Sequence, residues 1–272
     1  MELPRDVIRS RIWEEEPEAD NEFAARACYC RGFDVYGELL TKAGFIEYLF
    51  LLFAGDPPTA AQARLLDRLA LALANPGPRE PSVNAAMAAG AGGSSAASAL
   101  MAALAVGAGG LGGGREVWWA VRGWHACGTD LEAWVCWLRE PPVEPRADVW
   151  PAPEHPVGFD PNGASCAEPV RRTLDALAAT GAGERLAWLR AQRPVLEAAV
   201  GCPLAMSGVA AAAYADLGLS PEQAEMLHLL LRLPGAAVHA LEQQGLGWRR
   251  YPFFAEGLEL LDDPGGAGEG AP

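Results

Sequence analysis

Apolar residues recur at helical spacing along most of the chain. Phe45, Leu49, Leu52 and Phe53 mark one face of a predicted helix over 45–54, and Gly55-Asp56-Pro57-Pro58 ends it. Thr59 then caps a second helix, 60–74, whose stripe runs through Leu65, Leu66, Leu69 and Leu73. Asn75-Pro76-Gly77-Pro78 is a strong breaker. Before these, Ser10–Glu16 and Ala25–Arg31 read as extended segments around a polar turn, with a short helix over 36–40 to follow. Further helices are predicted at 168–179, 183–200, 206–217, 221–231 and 235–244, and Ser220-Pro221 opens one of them with a cap and a first-turn proline. Residues 116–138, rich in tryptophan, read as two helices about Gly128-Thr129-Asp130. Residues 140–163 carry seven prolines and no periodicity, so a long loop is expected there. The Gly-rich tail, 259–272, is expected to be disordered. The pattern predicts an all-α chain with a short N-terminal β-hairpin.

One stretch breaks this regularity. No charge occurs from Pro81 to Gly114, longer than the roughly 18 apolar residues that signal a membrane span. Its residues are mostly Ala, Gly and Ser, whose transfer into lipid is weakly favourable and which let helices approach closely. Two tightly packed helices broken near Gly90–Gly93 fit better than a span.

Composition narrows the chemistry. The chain has 272 residues and a formal charge of -14, which repels phosphate backbones, so nucleic acid is a poor partner. Lys42 is the one lysine and has no neighbour to tune it for Schiff-base chemistry. The six cysteines lack CxxC spacing, so no metal is expected, and buried reduced thiols are. Met1–Arg11 is charged and has no apolar run, which points to a cytoplasmic chain.

The order of segments resembles the citrate synthase family, in particular its short members of the citryl-CoA lyase type. The resemblance rests on Cys30-Arg31-Gly32-Phe33-Asp34, Leu51-Leu52-Phe53-Ala54-Gly55-Asp56-Pro57-Pro58, Pro81-Ser82 with the Ala/Gly-rich hairpin, and Leu111-Gly112-Gly113-Gly114-Arg115-Glu116. It continues through Glu154-His155-Pro156-Val157 with Asp160-Pro161, Pro234-Gly235 to Gln243, and Arg250-Tyr251-Pro252. It implies a citrate synthase-like fold: a large helical domain from residues 1–114 and 205–258, with a small helical domain, 115–204, inserted. It also implies dimers that bind coenzyme A thioesters and make or break a carbon–carbon bond between an acetyl-CoA enolate and a keto acid, using two histidines and an aspartate.

Residue by residue, the match is incomplete. His155 stands at the second histidine, and Pro156 and Val157 beside it would meet the CoA thioester. Leu111 replaces the first histidine, as in some citryl-CoA lyases. Ser207 stands at the aspartate, and a hydroxyl cannot act as a general base without its own activator. Asp160-Pro161-Asn162 loses an arginine that would clamp a carboxylate. Arg232 and Arg250 remain at places implied to bind a di- or tricarboxylate, and His239 is implied to support that cleft. His125 and His228 carry no functional signal, and the tryptophans read as core.

Three readings follow. The first is an enzyme on a CoA thioester, of citryl-CoA lyase type, with His155 and Ser207 catalytic and no tightly bound cofactor. The second is a catalytically weakened acyl-CoA-binding partner subunit, in a hetero-oligomer with a homologue rather than a homodimer. The third is an enzyme of altered specificity, whose substrate lacks the carboxylate that the missing arginine would hold.

Overall fold

The computed structural model describes residues 8–21, 23–140, 155–253 and 257. Strands β1 (Trp13–Pro17), β2 (Ala25–Cys30) and β3 (Phe33–Asp34) form one antiparallel sheet in chain order, with Trp13 opposite Cys30 and Cys30 opposite Phe33. The hairpin of the sequence is therefore present, extended by a third short strand. Arg31 and Gly32 both take positive φ, 53° and 86°, the twist-matched geometry of a two-residue hairpin turn. Where a helix over 36–40 is expected, the chain makes a π-helical turn, Val35–Leu39, and one α turn, α1 (Leu40–Lys42). Asp34 accepts from the Tyr36 and Gly37 amides, which starts that turn one residue early.

The remaining helices are α2 (Phe45–Ala54), α3 (Ala60–Ala74), α4 (Pro81–Ala91), α5 (Ala96–Gly107), α6 (Gly114–Cys127) and α7 (Leu131–Arg139). They continue with α8 (Glu168–Ala178), α9 (Arg185–Val200), α10 (Met206–Asp216), α11 (Pro221–Leu231) and α12 (Leu233–Leu246). Thr59 and Ser220 each form a reciprocal cap with the glutamine three residues on, as their sequence signatures predict. Helix α12 begins two residues before Gly235, because Pro234 sits in its first turn, where a missing N–H costs nothing. The stretch 141–154 of the expected loop and the tail from 259 onward lie outside the described residues.

Helix α10 is the axis of the molecule. All of its residues from Ser207 to Asp216 are buried, and leucines of α3, α8, α9 and α11 with Trp124 and Trp134 close around it in one large core. A helix apolar on every side belongs at a centre, and its run Ala210–Ala213 lets neighbours approach from all directions. A second cluster joins α4, α5 and α12 through Val83, Ala86, Met87, Ala99, Ala103, Ala236 and Ala240. The charge-free stretch is thus a packed helical hairpin, and no described helix is long and apolar enough to cross a membrane. The tryptophans divide. Trp124 and Trp134 meet edge-on in the core at 4.7 Å, whereas half-buried Trp118 has the guanidinium of Arg115 3.9 Å from its ring centre. Core packing accounts for only part of that cluster.

Candidate functional site

The loop between α5 and α6 consists of glycines around Leu111. A Cβ on Gly113 would lie 2.5 Å from the Gly109 carbonyl oxygen, so only glycine fits. Leu111 points outward and is 59% exposed. The Gly112 peptide is held from both sides. Its carbonyl accepts from Arg232 Nη1 at 3.0 Å, and its N–H donates to Glu116 Oε2. Arg232 also pairs with Glu80, which in turn caps α4 by accepting from the Ser82 and Val83 amides at 2.9 and 3.1 Å.

The loop that carries His155 reaches the same carboxylate. Gly158 N–H donates to Glu116 Oε1 at 2.6 Å, while the Gly158 carbonyl accepts from Ala205 N at 2.9 Å and Asp160 N donates to the Pro203 carbonyl at 2.8 Å. Phe159 and Leu204 form a single antiparallel bridge. At the first turn of α10 the two backbones touch: a Cβ on Gly158 would lie 2.9 Å from Gly208 Cα. His155 and Ser207, far apart in sequence, therefore sit on adjoining segments.

His155 Nε2 lies 3.6 Å from Glu116 Oε1, close enough for an ion pair but beyond hydrogen-bond length, and the Glu116 side chain is 1% exposed. The carboxylate beside it raises the imidazole's pKa above its ordinary value; burial opposes this and the charge of Asp160 adds a smaller push in the same direction as Glu116. Ser207 Oγ is buried with no hydrogen-bond partner among the described residues, and no side chain caps α10. A buried hydroxyl at an uncapped helix N-terminus can donate to a substrate oxygen that develops negative charge.

The other candidates are placed as follows. Arg232, buried, already has Glu80 and Gly112 as partners. His239 Nε2 lies 3.2 Å from Asn75 Oδ1, and its Nδ1 3.4 Å from Glu242. Arg250 ends the exposed 3-10 turn Trp248–Arg250, on a different surface element from His155. Pro156 and Val157 are half-buried beside His155, with Val157 against the main core. Asn162 donates its backbone N–H to Asp160 Oδ1 at 2.9 Å, in a turn internal to the loop.

Two residues escape the sequence reading. Glu116 was visible as the second charge after a long uncharged run, in the first turn of a helix, but nothing in the pattern distinguishes a buried acid there from a dipole-compensating one. His228, 2% exposed, has Nδ1 3.5 Å from Tyr214 Oη on α10. Burial lowers its pKa to about 3, the nearby Arg232 charge acting in the same direction and the Gly112 carbonyl against it. All six cysteines are free, and no group of three His, Cys, Asp or Glu side chains among the described residues could hold a metal.

No family model matches the chain, and no curated protein sequence does. Solved structures do match. Citryl-CoA lyase from Hydrogenobacter thermophilus superposes with a TM-score of 0.70 at 18% identity, over 98% of both chains. ATP citrate lyase from Methanothrix soehngenii, in complex with citrate and coenzyme A, gives 0.69 at 17% identity over 97% of this chain. ATP citrate lyase from Methanosaeta concilii, a mutant in complex with (3S)-citryl-CoA, gives 0.68 at 17% identity over 97% of this chain. The chain spans 43% of each of those longer proteins. The protein therefore has the citryl-CoA lyase fold, matched over 98% of the chain.

Proposed function

We propose that this protein acts on a coenzyme A thioester and cleaves a carbon–carbon bond as citryl-CoA lyase does, releasing acetyl-CoA and a 2-keto acid, or runs the reverse condensation. The observation that carries the reading is the fold match over 98% of both chains with a citryl-CoA lyase, joined to the contact between the His155 loop and the helix start that holds Ser207. His155 serves as the group that moves a proton, since imidazole titrates near neutral pH. Ser207 donates a hydrogen bond to the thioester oxygen as charge builds there. Pro156 and Val157 line the path of the pantetheine arm. Arg232 and His239 shape the carboxylate side of the cleft, which lies between the large domain and the inserted domain, 115–204. Arg250 reaches the site of a second copy, in keeping with its exposed position on the last described turn.

That second copy has a surface to meet. An apolar groove of about 440 Å³ runs between α2, α3, α5, α11 and α12, lined by Phe45, Leu49, Leu100, Leu230, Leu233 and Ala237. Met101, Val238 and Leu241 are exposed on helices that border it, a concentration of apolar surface that a lone soluble chain seldom leaves open. A homodimer through this face is the assembly we propose.

Incubating the purified protein with citryl-CoA tests the activity. Free acetyl-CoA and oxaloacetate are expected, with His155→Ala reducing kcat by about 10²-fold or more. CoA binding without any turnover would replace this reading with that of a partner subunit.

A further inference from the structure

Among the described residues, Glu116 is the one side chain that reaches the Gly112 loop, the His155 loop and the His155 ring together. Its Oε2 accepts from Gly112 N–H and its Oε1 from Gly158 N–H at 2.6 Å, with His155 Nε2 3.6 Å from that same Oε1. Two backbone donors pin the carboxylate in place, and its burial keeps water from screening it. A pinned carboxylate at ion-pair distance from an imidazole favours its cation. The His155 loop touches the start of the helix that holds Ser207, and the serine hydroxyl cannot hold an acid's proton.

We infer that Glu116 is a positioning residue whose pinned charge, held beside His155 Nε2, stabilises the imidazolium, so that one imidazole serves both proton transfers of the cleavage. This rests on the function proposed above. Neutral His155 takes the proton of the substrate's tertiary hydroxyl as the adjacent carbon–carbon bond breaks. The oxygen's electron pair closes the new ketone, and the broken bond's pair passes to the thioester as an enolate. The imidazolium then returns the same proton to the enolate carbon, which becomes the methyl of acetyl-CoA, and His155 is neutral again. No second acid is consumed, which is what a serine at 207 requires.

Among the described residues, the charged groups that act on the ring are Glu116 from α6 and Asp160 from its own loop, and the adjoining first turn of α10 holds no charged residue. Proton NMR of the ring C–H signals, four histidines in all, with His155→Gln for assignment, reads its titration without any need for turnover. His155 is expected to titrate above 6.5, and Glu116→Gln is expected to lower that value by about 1 pH unit. Asp160→Asn should lower it less. The acid limb of kcat/KM for citryl-CoA should move to lower pH in Glu116→Gln, a displacement that a merely structural role would not produce.

A native value below 6.5, or a folded Glu116→Gln with an unchanged one, overturns the inference. If Glu116→Gln does not fold by circular dichroism, Asp160→Asn decides. A value still above 6.5 supports Glu116 as the source, and a fall to 6.5 removes it. A displaced His155 in a protein that leaves citryl-CoA intact keeps the pairing and refutes the reaction, so the two failures are separable.

Discussion

Burial acts on His155 and His228 in the same sense, yet their titrations move apart, because only His155 has a carboxylate beside it. The consequences for stability have opposite signs. His228 folds with its pKa near 3, below its unfolded value of about 6.5, so the unfolded chain binds the extra proton throughout that window and stability falls as pH drops through it. From pH 7 to pH 5 this amounts to about 2 kcal/mol. His155, raised when folded, contributes stability that is fully present below its unfolded value and lost as pH rises through its folded one. His228→Phe, which keeps a ring beside Tyr214 but removes the titration, should show an acid loss about 2 kcal/mol smaller in urea unfolding at pH 5 against pH 7. An equal loss in both proteins would rule out His228 as the acid-sensitive group. His155 and Ser207 were candidates in the sequence through the order of their neighbouring segments, and the structure brings those segments into contact. The buried pair His228–Tyr214 was not, since nothing local separates a core histidine from an exposed one.

Among the elements, α4 and α12 depend on the closest approach. A Cβ on Gly90 would lie 2.4 Å from the Ala240 carbonyl oxygen, a backbone atom that cannot move without its helix. Gly90→Ala gains about 1 kcal/mol in helix propensity and loses about 1–3 kcal/mol as the helices are forced apart. A net loss in thermal midpoint is expected. Gly110→Ala is the control, with nothing within 4 Å of the added methyl, and should leave the midpoint unchanged. Helix positions were legible from stripes and caps: α2, α3 and α11 occupy the residues their periodicity marks. The π turn at Val35–Leu39 was not, because Asp34 and the preceding Arg31-Gly32 turn impose it rather than any apolar repeat.

At the scale of the whole molecule, the apolar groove and the exposed residues near it set the prediction. Sedimentation of the native protein at micromolar concentration should give a dimer, and Leu241→Glu, which places a charge on a residue 62% exposed at that face, should give a folded monomer. A monomeric native protein would show that this face stays open to water.

The sequence alone determined that the chain is helical, where its helices cap and break, and that Ala/Gly-rich segments must pack closely, because periodicity, capping chemistry and side-chain size act over a few residues. A resemblance in the order of its segments also singled out His155 and Ser207 as candidates. Only the tertiary structure decided that Glu116 joins the Gly112 and His155 loops and that Arg232 already has an acid partner. Burial and ion pairing depend on which surfaces meet, and those surfaces come from residues as distant in sequence as Glu80 and Arg232.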